Sequence, residues 1–316
     1  MADVGCAGIL VEDTFCGPMT SLPSEGTLLA LPEMPVRTGG CAANVAIDLA
    51  KQGVSVDIVG CVGRDSAADF LLRTYAAHGV GHSRVVQVEE YGTSRCIILL
   101  VKGQDRRYLY VDGANKVFSV NHLSRDWLAQ LKVFYLGGLF VLPGFDPDSL
   151  VGLLKYCRSK GVLTVVDVVV PQDMQEMAIL ERLLPHIDVF VPNEDEARAF
   201  TQVANPLDQL RAFEAAGART VIVTCGSQGL VARNEKKTWR CGTYRMQVVD
   251  PSGSGDAFTS GVIRGLLLGW EFPQILRYAS AIGASVTRAA GTTDSVFSDS
   301  EAEKFVTDHP LSVEEL

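Results

Sequence analysis

The chain has 316 residues, of which 47% are hydrophobic and 21% are charged, and its formal net charge is −9 at pH 7. This composition excludes a disordered chain and indicates a globular protein, either one large α/β domain with an appendage or two ordinary domains. The negative charge disfavours nucleic acid and anionic membranes as partners, because both require basic surfaces.

The N-terminal segment and the cysteines bear on location. Residues 1–6 lack the charged and apolar regions of a secretory signal. The longest nearly apolar run, 133–145, is too short for a membrane helix. The eight cysteines include no CxxC pair and are typical of buried, reduced thiols. We therefore expect a cytoplasmic protein that does not span a membrane.

The first part of the chain alternates between apolar runs and helical patterns. The segment 14–38, which contains four prolines, does not have a helical pattern. The other predicted elements are a strand over 4–11, a helix over 41–52, a strand over 54–62 and a helix over 65–78.

Residues 93–111 have a different pattern. Two apolar or alternating runs, 96–101 and 108–111, flank the polar turn 102–107, which predicts a β-hairpin without a neighbouring helix. Together with the segment 14–38, this hairpin predicts a small β appendage.

The remainder of the chain alternates again between strands and helices. Near-continuous Val/Ile/Leu strands of this kind predict a mainly parallel sheet with helices on both faces. The predicted strands are 133–136, 162–170, 189–191, 221–224 and 244–249, and the predicted helices are 147–159, 174–184, 194–201, 255–268, 273–289 and a short one from 298.

Acids and glycines that follow predicted strands are the candidate site residues, because ligands of such sheets bind beyond the carboxyl ends of the strands. The strongest segment is 250–256, Asp-Pro-Ser-Gly-Ser-Gly-Asp, in front of a helix. Its consecutive amides at Gly253, Ser254 and Gly255 can form an anion site, beside which Asp256 can accept a proton. The alternative is a tight turn followed by an ordinary acidic helix start.

Three further segments are weaker when each is taken alone. The pair Gly39–Gly40 precedes Asn44, whose amide suits neighbouring sugar hydroxyls, as does the carboxylate of Asp13. Asn193 and Glu196 can orient magnesium or phosphate, although the same pattern predicts a capping box. The last segment is a glycine turn after a strand, formed by Thr224, Gly226 and Gly229.

Several well-known motifs of nucleotide-binding and hydrolytic enzymes are missing from the sequence. There is no GxxxxGK[ST] and no GxGxxG between a strand and a helix, which excludes a P-loop enzyme and gives no support to a dinucleotide fold. There is no GxSxG nucleophile elbow.

In this order and spacing, the segments resemble the ribokinase-like (PfkB) family of carbohydrate kinases over almost the whole chain. The N-terminal signature of that family matches Gly39, Gly40 and Asn44, and its DTxGAGD signature matches 250–256, with Pro251 and Ser254 in place of the commoner residues. The resemblance implies a three-layer α/β/α sandwich with a mainly parallel central sheet and a small β-sheet lid. It assigns residues 1–13, 39–91 and 119–316 to the large domain and 14–38 and 92–118 to the lid.

The resemblance also implies ATP-dependent phosphorylation of a sugar-like alcohol, with Mg²⁺ and, in many members, K⁺. The implied base is Asp256, and the implied anion hole is formed by Gly253, Ser254 and Gly255. The residues implied to face the sugar are Asp13, Gly39, Gly40 and Asn44. The residues implied for ATP and magnesium are Asn193, Glu196, Thr224, Gly226, Gly229, Ala281 and Ala284, and those implied for K⁺ are Asp250, Ser252, Gly291 and Ser295.

The acceptor and the assembly are less closely defined. The strand end at 136–138 lacks the acid that ribokinases place against the sugar, so ribose itself does not follow from the resemblance. A nucleoside kinase, with a base stacked on Phe15, Tyr108 and Tyr110, remains an alternative, as does a catalytically silent sugar-binding regulator. Arg106 and Arg107, at the hairpin tip, fit either a contact with a sugar phosphate or, more commonly, a solvated turn. Relatives that pair through their lids imply a homodimer.

Overall fold

The computed structural model describes residues 2–104, 106–171 and 177–316. The strands are β1 (Val4–Gly8), β2 (Val11–Met19), β3 (Val36–Gly39), β4 (Val56–Val59), β5 (Cys61–Val62), β6 (Val86–Gln87), β7 (Arg95–Val101), β8 (Arg107–Val111), β9 (Val133–Gly137), β10 (Leu163–Val166), β11 (Val189–Phe190), β12 (Thr220–Thr224), β13 (Leu230–Asn234), β14 (Lys237–Cys241) and β15 (Val313–Glu315). The helices are α1 (Cys41–Lys51), α2 (Ser66–Ala77), α3 (Arg125–Leu128), α4 (Pro147–Ser159), α5 (Met177–Leu183), α6 (Glu194–Thr201), α7 (Pro206–Ala215), α8 (Ser254–Leu267), α9 (Phe272–Val286) and α10 (Asp299–Asp308).

The large sheet has the strand order β4-β1-β9-β10-β11-β12-β13-β14-β15. Its first six strands are parallel, because each is connected to the next along the chain through helices, and the last three are antiparallel. The parallel strands are short and buried on both faces, as in β1, where all five residues are buried. The predicted fold class, an α/β/α sandwich with a mainly parallel sheet, is confirmed.

The buried side chains form two main layers, one on each face of the sheet. One layer gathers Trp127, Phe134, Phe190 and Phe213 with neighbouring apolar residues. The opposite layer packs α1, α2, α8 and α9 against the same sheet. Since both faces are covered, polar side chains of the parallel strands can reach a ligand only at the strand ends.

The antiparallel edge differs from the prediction. Residues 230–241 form the hairpin β13–β14, which the sequence analysis missed, and its turn includes Glu235 with a φ of 55°. The strand predicted over 244–249 is wrong. The segment pairs with no strand of the described chain, Val248 and Val249 are about 60% exposed, and the Val249 amide donates to Thr287 at the end of α9. Apolar composition alone therefore misled the prediction where no partner strand was available.

The small sheet has the order β3-β2-β7-β8 and lies apart from the large one. The predicted hairpin is present as β7 and β8, which pair antiparallel with Leu99 opposite Arg107. Asp13 lies inside β2, where it is paired with Arg37 of β3. The small sheet thus extends from Val11 to Gly39 and from Arg95 to Val111, and the predicted lid boundaries stay a prediction.

Two other sequence-based expectations concern cysteines and helices. All eight cysteines are free, and five of them are buried. The helix predicted over 174–184 is present as α5, and its predicted residues 174–176 lie outside the described ones. Within the ranges that the structure describes, no helix combines the length and the apolar character needed to cross a bilayer.

Candidate active site

The candidate site residues meet where two helices start with glycine. The N-cap of α1 is Gly40, with a φ of 91°, and the N-cap of α8 is Gly253, with a φ of 77°. Neither helix has a side-chain cap. The first amides of each helix therefore lack side-chain acceptors, and the helix dipole adds positive potential at the same points.

Gly253 is required by the local backbone. Its positive φ favours glycine, and a Cβ at this position would overlap the carbonyl oxygen of Thr292. At Gly255, by contrast, a Cβ would meet no atom within 4 Å, so this part of α8 faces open space. The amide of Ser254 makes one long hydrogen bond, 3.3 Å, to the carbonyl of Pro251. This geometry suits an anion that approaches the start of α8.

Asp256, in the first turn of α8, is held by side chains of α1. The Nδ2 of Asn44 donates to Oδ2 of Asp256 at 2.8 Å. Burial raises the pKa of Asp256 above its usual value, while hydrogen bonds from Asn44 and Cys41 act in the opposite direction. The carboxyl group is therefore oriented and poised to exchange a proton.

Thr292 fixes Asn44 in turn, and the sequence analysis missed it. Its Oγ1 lies 3.0 Å from Oδ1 of Asn44 and 2.7 Å from the carbonyl of Thr38, both within hydrogen-bond distance. Both ends of the Asn44 amide are thus engaged within the protein. In this structure Asn44 donates a hydrogen bond to Asp256. Its predicted contact with a sugar stays a prediction.

Asp13 and Gly39 lie on the small-sheet side of the same site. Asp13 is only 6% exposed, and a Cβ on Gly39 would overlap its carboxylate. Burial, followed by the charge of Asp256, raises the pKa of Asp13 to about 7. Asp13 is therefore a desolvated carboxyl group on the small-sheet side of the site, close enough for the charge of Asp256 to raise its pKa.

Asp167 is a second site acid that the sequence analysis did not identify. It follows β10 and accepts hydrogen bonds from the Gly138 amide, at 2.7 Å, and from the Tyr135 hydroxyl. In the sequence, Asp167 is an acid inside the apolar run 162–170, which predicts one continuous strand, whereas β10 ends at Val166. Atoms of Cys41, Asp167 and Asp256 lie within 4.8 Å of one another. This is the one such group of potential ligands found in the described part of the chain.

Asn193 and Glu196 form the predicted capping box at the start of α6. The Oδ1 of Asn193 accepts from the amides of Asp195 and Glu196 at 3.0 and 2.9 Å, and Glu196 accepts from the Asn193 amide at 2.9 Å. Burial raises the pKa of Glu196 to about 8, against the opposing hydrogen bond from Asn193. Both residues line the same cavity as Asp256, so they belong to the candidate site as well as to the helix cap.

The predicted nucleotide residues lie on the other side of α8. Thr224, Gly226, Gly229 and Ala284 line a cavity of about 600 Å³ together with the start of α8. Gly229 has a φ of 89° and approaches the carbonyl of Cys241 so closely that a Cβ would collide with it. Ala281 is fully buried behind this cavity, in contact with the same apolar cluster as Ala284.

The predicted cation residues form a partly connected loop. Asp250 accepts from the Ser252 amide and hydroxyl, at 3.0 and 2.8 Å, and from the Gly291 amide at 3.3 Å. The hydroxyl of Ser295 donates instead to the carbonyls of Ser285 and Val286. The structure thus brings three of the four residues together by hydrogen bonds.

Three neighbouring cavities share these residues. The central one, about 530 Å³, shares Ser254 and Gly255 with the 600 Å³ cavity on one side. It shares Gly253 and Asp256 with a cavity of about 690 Å³ on the other side, which Asp13, Gly40 and Asn44 also line. Asp256 therefore lies where the central cavity meets the 690 Å³ cavity, and the start of α8 lies where the central cavity meets the 600 Å³ cavity.

Curated relatives with similar sequences are kinases. The ATP-dependent 6-phosphofructokinase of Thermoanaerobacterium thermosaccharolyticum is 28% identical over 258 residues, which is 80% of each chain. The adenosine kinase of Saccharomyces cerevisiae is 30% identical over 264 residues, covering 77% of this chain and 75% of the relative. Both alignments cover the greater part of each protein.

The fold has close counterparts among solved structures. The Arabidopsis thaliana ribokinase, complexed with ribose and ATP, superposes with a TM-score of 0.83 at 22% identity, over 96% of this chain and 98% of that one. A family model described as pfkB family carbohydrate kinase matches residues 1–299. The chain therefore belongs to the pfkB family of carbohydrate kinases.

Proposed function

We propose that the protein transfers the γ-phosphate of ATP to a hydroxyl group of a carbohydrate, with Asp256 as the general base. The observation that carries this proposal is the position of Asp256. It lies at the junction of the central and acceptor cavities, directly beside the uncapped start of α8, and Asn44 fixes its carboxylate. A carboxylate that can accept a proton thus lies beside helix amides that can bind an anion, and this arrangement supports in-line phosphoryl transfer.

The proposed reaction uses groups of this chain at each step. The acceptor lies in the 690 Å³ cavity, and its hydroxyl points to Asp256. As the acceptor oxygen attacks the γ-phosphorus, Asp256 takes the hydroxyl proton and the bond to the β–γ bridging oxygen breaks. The amides of Gly253, Ser254 and Gly255 stabilise the charge on the phosphoryl oxygens, because they are oriented before the reaction begins.

ATP would occupy the 600 Å³ cavity, with its phosphates in the central one. This placement is supported by the glycine turn after β12 and by Ala284 of α9, which leave room beside the start of α8. Asn193 and Glu196 would orient Mg²⁺ directly or through water, and Mg²⁺ would neutralise phosphate charge. The loop of Asp250, Ser252 and Gly291 is the proposed K⁺ site, and turnover with and without potassium tests it.

A nucleoside kinase is the second candidate because of the lining of the acceptor cavity. Apolar and aromatic side chains from both the small sheet and the large domain line it, among them Ile98, Tyr108, Tyr110 and Val169. Its volume of about 690 Å³ also leaves space for a substituent beyond one sugar ring. Phe15, the third aromatic predicted to stack on a base, is 2% exposed and belongs to the core instead.

A panel of acceptors tests the function and separates the candidates. ADP release is measured with ketoses, aldoses, sugar phosphates and nucleosides, and product phosphorylation is verified by mass spectrometry. We expect turnover with a member of the sugar classes, whereas turnover restricted to nucleosides would support the second candidate. Absence of phosphorylation with every acceptor would indicate a silent binding protein.

Asp256→Asn tests the mechanism with the best acceptor of the panel. We expect kcat to fall by about 10³-fold or more, because the amide keeps the shape but cannot accept the proton. ATP binding, followed by calorimetry, should remain within a few-fold of the wild type. Near-normal kcat in the variant would contradict the assignment of the base.

Assembly and location are part of the same proposal. Strand β8 is an edge strand, and Leu109 and Val111 on it are 58% and 65% exposed, which suits pairing with a second copy. We propose a homodimer through the small sheet, tested by light scattering of the wild type and of Leu109→Lys. Eight free cysteines and the use of ATP fit the reducing cytoplasm, which cell fractionation tests.

A further inference from the structure

The two arginines at the tip of the β7–β8 hairpin have different surroundings. Arg107 is exposed, and its Nη2 donates to Gln104 at 2.6 Å, within the same turn. Arg106 is half-buried and leaves the hairpin: its Nη1 donates to Oγ of Ser252, 146 positions away, at 3.2 Å. The sequence favoured a solvated turn for the pair, and the structure shows this for Arg107 only.

Arg106 reaches the boundary between the two cavities that meet at Asp256. It lines both the central cavity and the acceptor cavity. Among the described residues that line these two cavities, it is the only lysine or arginine, whereas the acids include Asp13, Asp167 and Glu196. Among the described residues, the one cationic side chain that lines these two cavities therefore comes from the β7–β8 hairpin.

The contact with Ser252 places the guanidinium next to the anion site. Ser252 directly precedes Gly253, the N-cap of α8, and its hydroxyl donates to Asp250 at 2.8 Å. An anion at the start of α8 would consequently lie close to Arg106. A guanidinium also binds phosphate oxygens in a bidentate, charge-assisted manner that neutral amides cannot reproduce.

We infer that Arg106 is a catalytic residue that binds the phosphoryl group during its transfer and exchanges its contact with Ser252 for that group. This inference rests on the proposed kinase function. In the step itself the acceptor oxygen bonds to the γ-phosphorus, the bond to the bridging oxygen breaks, and ADP leaves with that oxygen. The proton passes to Asp256, and Arg106 exchanges no proton in this step. Its charge stabilises the oxygens of the transferring group more than those of bound ATP.

The small sheet thereby gains a role in timing. In this structure Arg106 reaches the anion site from the β7–β8 hairpin, so a displacement of the hairpin would withdraw its charge. Phosphoryl transfer to water is then disfavoured whenever the hairpin is displaced, because the site lacks this positive charge. Arg106 thus lines the acceptor cavity and, in this proposal, also stabilises the transferring phosphoryl group.

A different role for Arg106 would be to hold a phosphate that the acceptor already carries. The two roles predict different kinetics. A residue that binds the transferring group lowers kcat for every acceptor when it is removed. A residue that binds an acceptor phosphate raises KM for phosphorylated acceptors and leaves neutral ones unchanged. The contact with Ser252, on the anion-site side, favours the first role.

The test compares Arg106→Ala and Arg106→Lys with the matched control Arg107→Ala, in the full-length protein and with the best acceptor of the panel. We expect Arg106→Ala to lower kcat by about 100- to 1000-fold, and Arg106→Lys to recover only part of it. Free guanidinium should partly rescue Arg106→Ala. Arg107→Ala should stay within about twofold of the wild type, since its contact is local.

A binding measurement distinguishes a catalytic role from a structural one. ADP with aluminium fluoride and acceptor imitates the transferring group, so Arg106→Ala should weaken this complex strongly while ADP alone binds as in the wild type. Equal loss in Arg106→Ala and Arg107→Ala, or an effect on KM of phosphorylated acceptors only, would overturn the inference. If turnover depends on Asp256 but not on Arg106, only the inference fails. If the wild type phosphorylates no acceptor, the proposed function fails first.

Discussion

The helices α6 and α8 both begin at the central cavity, but their N-termini are built in opposite ways. At α6, Asn193 and Glu196 satisfy each other's backbone amides through a complete capping box. At α8, the N-cap is Gly253 in a left-handed conformation, and no side chain caps the helix. The first terminus is internally satisfied, whereas the second has unpaired amides to offer to a ligand.

This difference assigns different tasks to two sequence patterns of similar appearance. Each terminus has an acid in its third helical position, Glu196 in α6 and Asp256 in α8. The carboxylate of Glu196 binds back to its own helix, whereas that of Asp256 is held by Asn44 of another helix. An open terminus with a separately anchored acid suits catalysis. A closed terminus suits the placement of its acid beside an ion without movement.

Among the variants that test this comparison of α6 with α8, closing the open terminus of α8 should have the largest effect. In Gly253→Ala, the new Cβ would overlap the Thr292 carbonyl and force the left-handed φ on alanine, so the start of α8 must shift. We expect kcat to fall by at least about 100-fold, the cost of losing one oriented donor. Steady-state kinetics and thermal unfolding measure the change.

Gly269→Ala is the matched control for this prediction. Gly269 follows the other end of α8, also has a positive φ (64°), and a Cβ there would meet no atom within 4 Å. The control should lose about 1 kcal/mol of stability and retain turnover. Similar turnover losses in both variants would mean that stability, rather than the anion site, governs the effect.

A desolvated acid, Asp13, also lies near Asp256 at the open N-terminus of α8. Its folded-state pKa is raised to about 7 by burial and then by Asp256, so its stabilising contribution is complete below the usual pKa of 3.8 and is lost as the pH rises through about 7. We therefore expect the unliganded protein to become less stable between pH 5 and pH 8.

Asp13→Asn should reduce this dependence, because asparagine does not titrate, and denaturant unfolding across this pH range measures it. Acceptor binding should become stronger as the pH rises, because ionised Asp13 accepts hydrogen bonds from hydroxyl groups more strongly than the neutral acid does. KM for the acceptor should therefore fall above pH 7 in the wild type but not in Asp13→Asn. An unchanged pH slope of stability in Asp13→Asn would contradict the assignment of the shift.

Removal of the cap at the closed N-terminus of α6 should mainly lower the stability of the protein. Asn193→Ala removes a cap that accepts two amides, which costs about 1 kcal/mol. It also removes the Asn193 side chain, which lines the central cavity and is proposed to orient Mg²⁺, so KM for MgATP should rise several-fold. Asn205→Ala is the control, because Asn205 caps α7 by accepting from Leu207 and lines none of the three cavities. We expect both variants to lose similar stability but only Asn193→Ala to change KM for MgATP. This result would separate the structural role of Asn193 from its functional role.

The same comparison explains what could be read from the sequence. The alternation of apolar runs gave the parallel sheet, and the capping box at 193–196 was recognisable because its partners are three positions apart. The contacts of Thr292 and Asp167 could not be predicted, because these residues bond to Asn44, Tyr135 and Gly138 across long stretches of chain; the only local signal was the position of Asp167 as an acid in an apolar run. Arg106 could not be distinguished from Arg107 for the same reason: the partner that decides its role is 146 positions away. Local patterns are readable from sequence, whereas long-range hydrogen bonds require the fold.

The smallest effect is expected at Ser254, in the open terminus itself. The commoner form of the family signature has alanine at this position. In the described part of the chain, no hydrogen bond involves the Ser254 hydroxyl. If the anion site consists of backbone amides, Ser254→Ala should keep kcat and KM within about twofold of the wild type, because the amide is unchanged. Ser252→Ala, two positions earlier, should lower kcat several-fold, since that hydroxyl connects Arg106 to Asp250. A large loss in Ser254→Ala, measured by the same kinetics, would show that a side chain rather than the start of the helix binds the phosphoryl group.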